Sequence, residues 1–251
     1  MAEFDIAEVP VYERAPIEML GYPVGDEEAV LEPKPVYEFF KRIFDFVSSL
    51  IVSIILILPI AVISVIIMIK DQGPPLYLHK RLGKDHKEID VFKFRCMKEG
   101  SDDIENALSP ELQAEYRKEY KLNDDPRLIG YEKPGDGVTC FGARMRRMSI
   151  DEIPQIVFNI LIRGDMSVVG PRPILESELK ENYTPEEQKL LLSVKPGLTG
   201  YWQAYARNNA GYETGKRQSM ELYYIHNRSF AFDMKIIFKT IFTVLFEKGV
   251  K

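Results

Sequence analysis

The sequence predicts an α+β protein, dominated by helices, with a small β-hairpin and one N-terminal membrane segment taken as a re-entrant helix hairpin. Three observations carry this expectation: an uncharged apolar run from Phe46 to Ile69, two short strand-like stretches around Gly83, and helix-start signals at Pro110, Thr184 and Ser229. The 251 residues suit one compact body with extra segments, at a soft prior of about 150 residues per domain. With 45% apolar and 28% charged residues, the chain is neither wholly disordered nor polytopic. The division expected is an acidic tail over 1–40, a membrane segment over 41–72 and a main folded domain over 73–251.

In the run Phe46–Ile69, 19 of 24 residues are apolar and the others are four serines and Pro59. As a straight helix it would measure roughly 36 Å, enough to cross a ~30 Å hydrocarbon core. Pro59 cannot donate to the carbonyl of Ile55, and it leaves arms of 13 and 10 residues, each about half a bilayer long. Flanking charge is nearly balanced: Lys34, Lys41 and Arg42 stand against Lys70, Lys80, Arg81 and Lys84. Balance suits a re-entrant segment with both ends on the cytoplasmic face. Proline kinks also occur within spanning helices, so the residues alone leave re-entry and spanning both open.

Beyond the breakers Gly73, Pro74 and Pro75, Leu76–Arg81 and Lys87–Met97 read as the two strands of a hairpin. Ser109 with Pro110 opens a helix with Leu112, Tyr116 and Tyr120 on its apolar side, ending near Asn123. Residues 131–140 read as a loop and Ile150–Leu161 as a helix. Thr184, Pro185 and Glu187 have capping-box spacing. Ser229 is expected to cap a last helix to about Glu247, whose broad apolar surface is wide enough to touch lipid, with packing on the body the favoured use.

Residues 1–45 carry eleven acidic and four basic side chains, a net of −7, against −5 for the whole chain. The remainder is therefore +2, which leaves room for an anion site and argues against a general nucleic-acid binder. Cys96 and Cys140 make neither a disulfide framework nor a zinc motif, pointing to a reducing compartment. The first residues are polar and acidic, so no processed signal peptide is visible.

Between residues 144 and 173, Arg144, Arg146, Arg147, Arg163 and Arg172 gather around Asp151, Glu152 and Asp165. Guanidinium forks match phosphate oxygens, so this density suggests a diphosphate site, with surface ion pairs as the bland alternative. Ser149 and Glu152 have capping-box spacing, and acidic groups suit a first helical turn, so a purely structural account of Asp151 and Glu152 exists. Alternatively one carboxylate attacks phosphorus and the other holds Mg²⁺. Lys93 and Arg95 alternate with Phe92 and Phe94 along a strand, cations on one face and rings on the other. Gly170–Pro173 is a stiff turn that fixes the direction of Arg172, and Lys195–Gly200 is a second tight turn leading into Tyr201, Trp202 and Gln203, with Trp202 expected in the core. No Walker-type phosphate loop is present.

These runs taken together resemble the bacterial sugar transferases, the monotopic polyprenol-phosphate phosphoglycosyl transferases, over roughly residues 40–250. The matching stretches are Gly73–Pro75; Lys93, Phe94, Arg95 and Met97; Asp125–Arg127; Arg146–Gln155, reading RRMSIDEIPQ; Gly164–Pro173, reading GDMSVVGPRP; and Pro196–Gln203, reading PGLTGYWQ. The chain departs from the family pattern at Leu58, at His86 and in residues 131–139, which look inserted. The resemblance implies Asp151 as a nucleophile toward the β-phosphate of a UDP-sugar, with UMP released. The phosphosugar held on Asp151 would then pass to polyprenol phosphate, such as undecaprenyl phosphate, at the first membrane step of glycan assembly. It implies Glu152 as the Mg²⁺ ligand, and Arg172, Arg147, Lys93 and Arg95 on phosphate oxygens, with Asp165, Arg207 and Asp233 as weaker substrate-binding candidates. It also implies an enzyme on the cytoplasmic face of the bacterial inner membrane, in contact with its lipid; a homodimer is open. The competing readings are a membrane-anchored scaffold that holds an anionic ligand, and a two-carboxylate glycosidase. Adjacent carboxylates at a helix start fit the glycosidase poorly, because it needs them about 5 to 9.5 Å apart across a sugar bond.

Overall fold

The structure is a computed structural model that describes residues 33–119, 122–206 and 215–246. It is helix-dominated, with small sheets and one long apolar N-terminal helix. That helix, α1 (Pro35–Asp71), starts with Pro at its first position and ends where Gln72 takes left-handed φ ahead of Gly73. It is one helical element without an intervening loop, since Pro59 removes only one backbone donor. Among the described residues it is the one helix long and apolar enough to cross a membrane. Most of its apolar residues between Leu50 and Ile69 are exposed.

The body grips α1 near both of its ends. Lys41 Nζ is 2.7 Å from Asp233 Oδ2, Tyr37 donates to the same oxygen at 2.8 Å, and the Asp45 carboxylate accepts from Ser167 Oγ at 2.7 Å and from Val168 N–H at 3.0 Å. Toward the other end, Ile67 is fully buried with Phe94, Ile129 and Met145, and Asp71 pairs with Arg95 at 3.0 Å.

The expected hairpin is present as β1 (Leu76–Leu82) and β2 (Glu88–Phe94), antiparallel, with Tyr77 opposite Lys93, His79 opposite Val91 and Arg81 opposite Ile89. Opposed residues share a face. One face of the ribbon therefore carries Tyr77, His79 and Arg81 beside Ile89, Val91 and Lys93. Two short helices follow, α2 (Ile104–Ala107) and α3 (Pro110–Glu119). Tyr120 and Lys121 fall outside the described residues, and Leu122 and Asn123 are no longer helical, so the helix stops before the end expected near Asn123. The Arg127 fork grips Asp125 in a buried pair at 2.7 and 2.9 Å, over the Tyr116 ring. Residues 131–140 form a loop with a single 3₁₀ turn, tied down by the Asp124 carboxylate, which accepts from Gly135 and Gly137 N–H at 2.7 and 2.8 Å.

Beyond α4 (Phe141–Arg147), the segment expected as one helix over 150–161 is instead a 3₁₀ turn, Ile150–Glu152, followed by a π-helix, Ile156–Arg163. Buried Asn159 explains part of the change. Its amide accepts from Phe92 N–H at 3.0 Å and donates to Asp90 O at 2.8 Å and Asp165 Oδ1 at 3.1 Å, bonding this element to strand β2. The tight turn expected at 195–200 is in fact partly strand: β4 (Gly197–Thr199) pairs in parallel with β3 (Ser167–Val169). The pairing needs glycine, because a Cβ on Gly170 would meet Lys195 O at 2.6 Å and Gly197 N at 2.7 Å.

The main core lies under α5 (Glu176–Asn182), α6 (Pro185–Leu191), α7 (Tyr201–Tyr205) and α8 (Lys216–Asn227), and includes Leu179, Leu190, Trp202, Met220, Tyr224 and Ile225. Thr184 and Glu187 form both bonds of the expected capping box. Ser229 Oγ accepts from Phe232 N–H at the start of α9 (Phe230–Phe246), as expected. The apolar surface of α9 divides, with Ile236 buried in the core and Phe238, Ile241 and Phe242 exposed by half or more.

Candidate active site

A cleft opens where the hairpin face, the Asp151–Glu152 turn and the paired strands β3 and β4 converge. Its lining includes Arg81, Lys93, Glu152, Gln155, Arg172 and Gln203. Lys93 Nζ sits 3.0 Å from Glu152 Oε1 and 3.9 Å from Asp151 Oδ2, so one ammonium serves both carboxylates. Asp151 is only 8% exposed. Its neighbour Cys96 has a thiol pushed up to about 11, by burial first and then by the Asp151 charge.

The structural account of the two carboxylates as a capping box does not hold. Ser149 adopts left-handed φ 54°, ψ 23°, and its side chain makes no cap hydrogen bond; Glu152 N–H bonds the Ser149 carbonyl instead. A left-handed residue other than glycine costs of order 1–3 kcal/mol, and such strain clusters at functional sites. The strained turn points Asp151 and Glu152 toward Lys93.

His79 lies on the same hairpin face as Arg81 and Lys93. Burial, then the charges of Arg81, Lys93 and Arg172, hold its imidazole down at about 4, so it is neutral near pH 7. Three cations from three separate segments therefore surround a space that also holds Glu152, which is an arrangement for an anion with several oxygens. Among the described residues no group of three or more His, Cys, Asp or Glu is placed to hold a metal ion. Two adjacent hard carboxylates beside a cation-lined cleft nevertheless match the habit of Mg²⁺, which uses one or two carboxylates and completes its shell with substrate oxygens and water.

Of the residues expected from the sequence, the structure brings Asp151, Glu152, Lys93 and Arg172 together. It does not bring the others. Arg95 is buried against Asp71 and Gly73 at the end of α1, parted from Lys93 although both follow the same strand direction. Arg147 lies exposed at the end of α4 with Arg144 and Arg146, and Arg163 pairs with Asp90 and stacks on Phe92, so five arginines do not ring one site. Asp165 is bonded to Asn159. Asp233 is 2% exposed and held by Lys41, Tyr37 and Tyr224. Arg207 lies outside the described residues.

Arg81, Gln155 and Gln203 were not singled out from the sequence. Arg81 was within reach: once the hairpin turn is placed, two-residue periodicity puts it on the face that carries Lys93. Gln155 and Gln203 depend on long-range packing that no local pattern encodes.

A membrane-length helix, a half-polar body gripping it and a cation-lined cleft with adjacent carboxylates define a class: membrane-associated proteins handling a phosphorylated ligand. A family model described as bacterial sugar transferase matches residues 36–247. The chain belongs to the bacterial sugar transferase family. It is 39% identical over 214 residues to the UDP-galactose-lipid carrier transferase of Erwinia amylovora, covering 84% of this chain and 41% of that protein. It is 38% identical over 214 residues to the undecaprenyl-phosphate galactose phosphotransferase of Salmonella typhimurium, with the same coverage. It is 37% identical over 220 residues to the exopolysaccharide production protein ExoY of Rhizobium meliloti, covering 86% of this chain and 90% of that protein. The chain thus spans about two fifths of the first two relatives and nine tenths of the third.

Proposed function

We propose that this protein transfers a phosphosugar from a UDP-sugar to polyprenol phosphate, releasing UMP, as an early membrane step of polysaccharide assembly. The observation that carries the reading is Lys93, which contacts both the nearly buried carboxylate of Asp151 and Glu152 and, with Glu152, Arg81 and Arg172, lines one cleft. The printed names of the relatives, a lipid carrier transferase and an undecaprenyl-phosphate phosphotransferase, support the acceptor class.

Asp151 attacks the β-phosphorus of the donor; the new bond is an acyl phosphate, and the bond to the bridging oxygen breaks as UMP leaves. An oxygen of polyprenol phosphate then attacks the same phosphorus, which frees the Asp151 carboxylate and yields a polyprenyl diphosphate sugar. Two steps spare the enzyme from holding both anionic substrates in line at once. Lys93, Arg172 and Arg81 bind phosphate oxygens and offset the charge that gathers on them. Glu152, with Asp151 near it, would hold Mg²⁺, which when bound neutralises diphosphate charge.

The same reading puts both ends of α1 on the cytoplasmic face of the inner membrane. What supports re-entry is the double grip. From Asp45 to Asp71 a straight helix rises ~39 Å, more than a hydrocarbon core, yet one polar body holds Asp45 through Ser167 and Asp71 through Arg95. Cysteines introduced near residues 30 and 100 are expected to be equally protected from an impermeant reagent in intact cells; labelling of one alone contradicts re-entry. For the activity, purified protein in micelles with polyprenol phosphate and a panel of UDP-sugars is expected to release UMP with one of them. Binding without UMP release would leave a scaffold.

A further inference from the structure

We propose that Glu221 is a positioning residue: its buried carboxylate, with Arg217 and Trp202, aims Arg172 into the cleft. The inference rests on the reading that Arg172 binds the donor diphosphate.

The loop Gly170–Pro171–Arg172–Pro173 has few handles. Neither proline has an N–H, so between Gly170 and Ile174 the one backbone donor belongs to Arg172. Gly170 N–H bonds Thr199 O at 2.9 Å, and Pro171 O accepts from Gly197 N–H at 2.8 Å, which seats the loop on β4. The Arg172 N–H instead reaches across to α8 and is accepted by both oxygens of Glu221, at 3.2 and 3.3 Å. With Pro171 fixing its own φ and Pro173 restricting the residue before it, this bond completes the constraint on the Arg172 backbone. The guanidinium groups of Arg172 and Arg217 then both lie over the Trp202 ring, at 5.7 and 4.4 Å from its centroid. Arg217 and Glu221 stand four residues apart on α8 and so share a face.

A carboxylate that is 2% exposed is costly to bury, and an apolar residue would fill the space without that cost. Its charge has a use only if the donors around it must be ordered. A neutral amide would still accept from one N–H, but its own NH₂ would face Arg217 and Arg172, donors all. Burial, opposed by the Arg217 charge, the Arg172 N–H and the Arg172 charge, raises the Glu221 carboxyl to about 7. The charged groups that face it are Arg217 from its own helix and Arg172 from the loop after β3. Protonation below that point puts one more donor among donors, so phosphate affinity is expected to fall as pH falls through ~7.

The test is calorimetric binding of UDP to the full chain in micelles, for the parent, Arg172→Ala, Glu221→Gln and the double variant. Arg172→Ala is expected to weaken binding about tenfold and Glu221→Gln about fivefold, within the range of a typical hydrogen bond's net contribution. In the Arg172→Ala background Glu221→Gln is expected to add almost nothing, since the residue acts through Arg172. Between pH ~8 and ~6 the parent is expected to lose affinity severalfold more than Glu221→Gln, whose remaining slope is protonation of UDP itself. Parent-like affinity in a folded Glu221→Gln, or an equal loss in both backgrounds, overturns the positioning role. Unchanged binding by Arg172→Ala instead overturns the reading of Arg172, and this inference with it. Should Glu221→Gln fail to fold, the profiles of the parent and Arg172→Ala decide: equal slopes overturn the proposal, and a steeper one in the parent supports it.

Discussion

Asp233 and Asp151 are both nearly buried carboxylates facing a lysine, yet their surroundings differ. Asp233 accepts from Tyr37, Tyr224 and Lys41 at 2.7 to 2.8 Å, so its oxygens are fully engaged in holding α1 to α8 and α9. Asp151 shares its ammonium with Glu152 and lies farther from it, at 3.9 Å, and Glu152 lines a cleft with two further cations, Arg81 and Arg172. One carboxylate is saturated by its own chain. The other belongs to the strained turn whose Glu152 lines the cleft. Both carboxylates are nearly buried, so burial does not separate them; what differs is that one is closed in a clasp on α1 and the other belongs to a turn at a cleft that Arg81, Lys93 and Arg172 line.

Substitutions that keep shape and remove charge sharpen this contrast. Glu152→Gln is expected to reduce turnover about a hundredfold, the scale of losing one charge-stabilising group from a site, with a weaker response to Mg²⁺. Because no capping box forms at Ser149, folding should be little changed; parent-like turnover with an unaltered Mg²⁺ titration would make Glu152 dispensable. Asp233→Asn should show the reverse. It leaves Lys41 without its countercharge and is expected to cost about 3 kcal/mol in a denaturant melt, the scale of breaking a buried pair. Turnover per folded molecule should persist; if it fell as far as in Glu152→Gln at full stability, the comparison would break.

A smaller effect concerns acid stability. The His79 imidazole is held at about 4 in the fold, below the ordinary ~6.5 of an unfolded chain. The unfolded state therefore binds more protons between these values, and stability falls as pH drops from about 6.5 toward 4. His226, also lowered to about 4, first by burial and then by Arg228, acts in the same direction. His79→Gln is expected to flatten part of that slope, and an unchanged slope would mean that the fold does not hold the His79 imidazole down.

Local signals were legible where the chemistry is local. The capping box of Thr184 and Glu187, the Ser229 cap, the hairpin about Gly83 and the apolar run of α1 all follow from neighbouring residues. Ser149 with Glu152 carries the same capping spacing, yet the strained turn took precedence, so spacing alone misled. The π-helix was hidden because its anchor, Asn159, bonds to strand residues more than sixty positions away. Charge density along the sequence found Arg172 and Lys93, but it could not tell them from Arg95 and Asp233, whose partners lie on α1. Which cations face a cleft and which clasp a helix is decided by tertiary pairing.

The central claim is a phosphosugar held on Asp151. Enzyme and the accepted UDP-sugar, with no polyprenol phosphate present, are expected to exchange labelled UMP into the UDP-sugar pool, and Asp151→Asn to lose that exchange while keeping the parent's melting behaviour. Exchange that strictly requires the lipid, or an Asp151→Asn protein that exchanges label at the parent rate, would contradict the account.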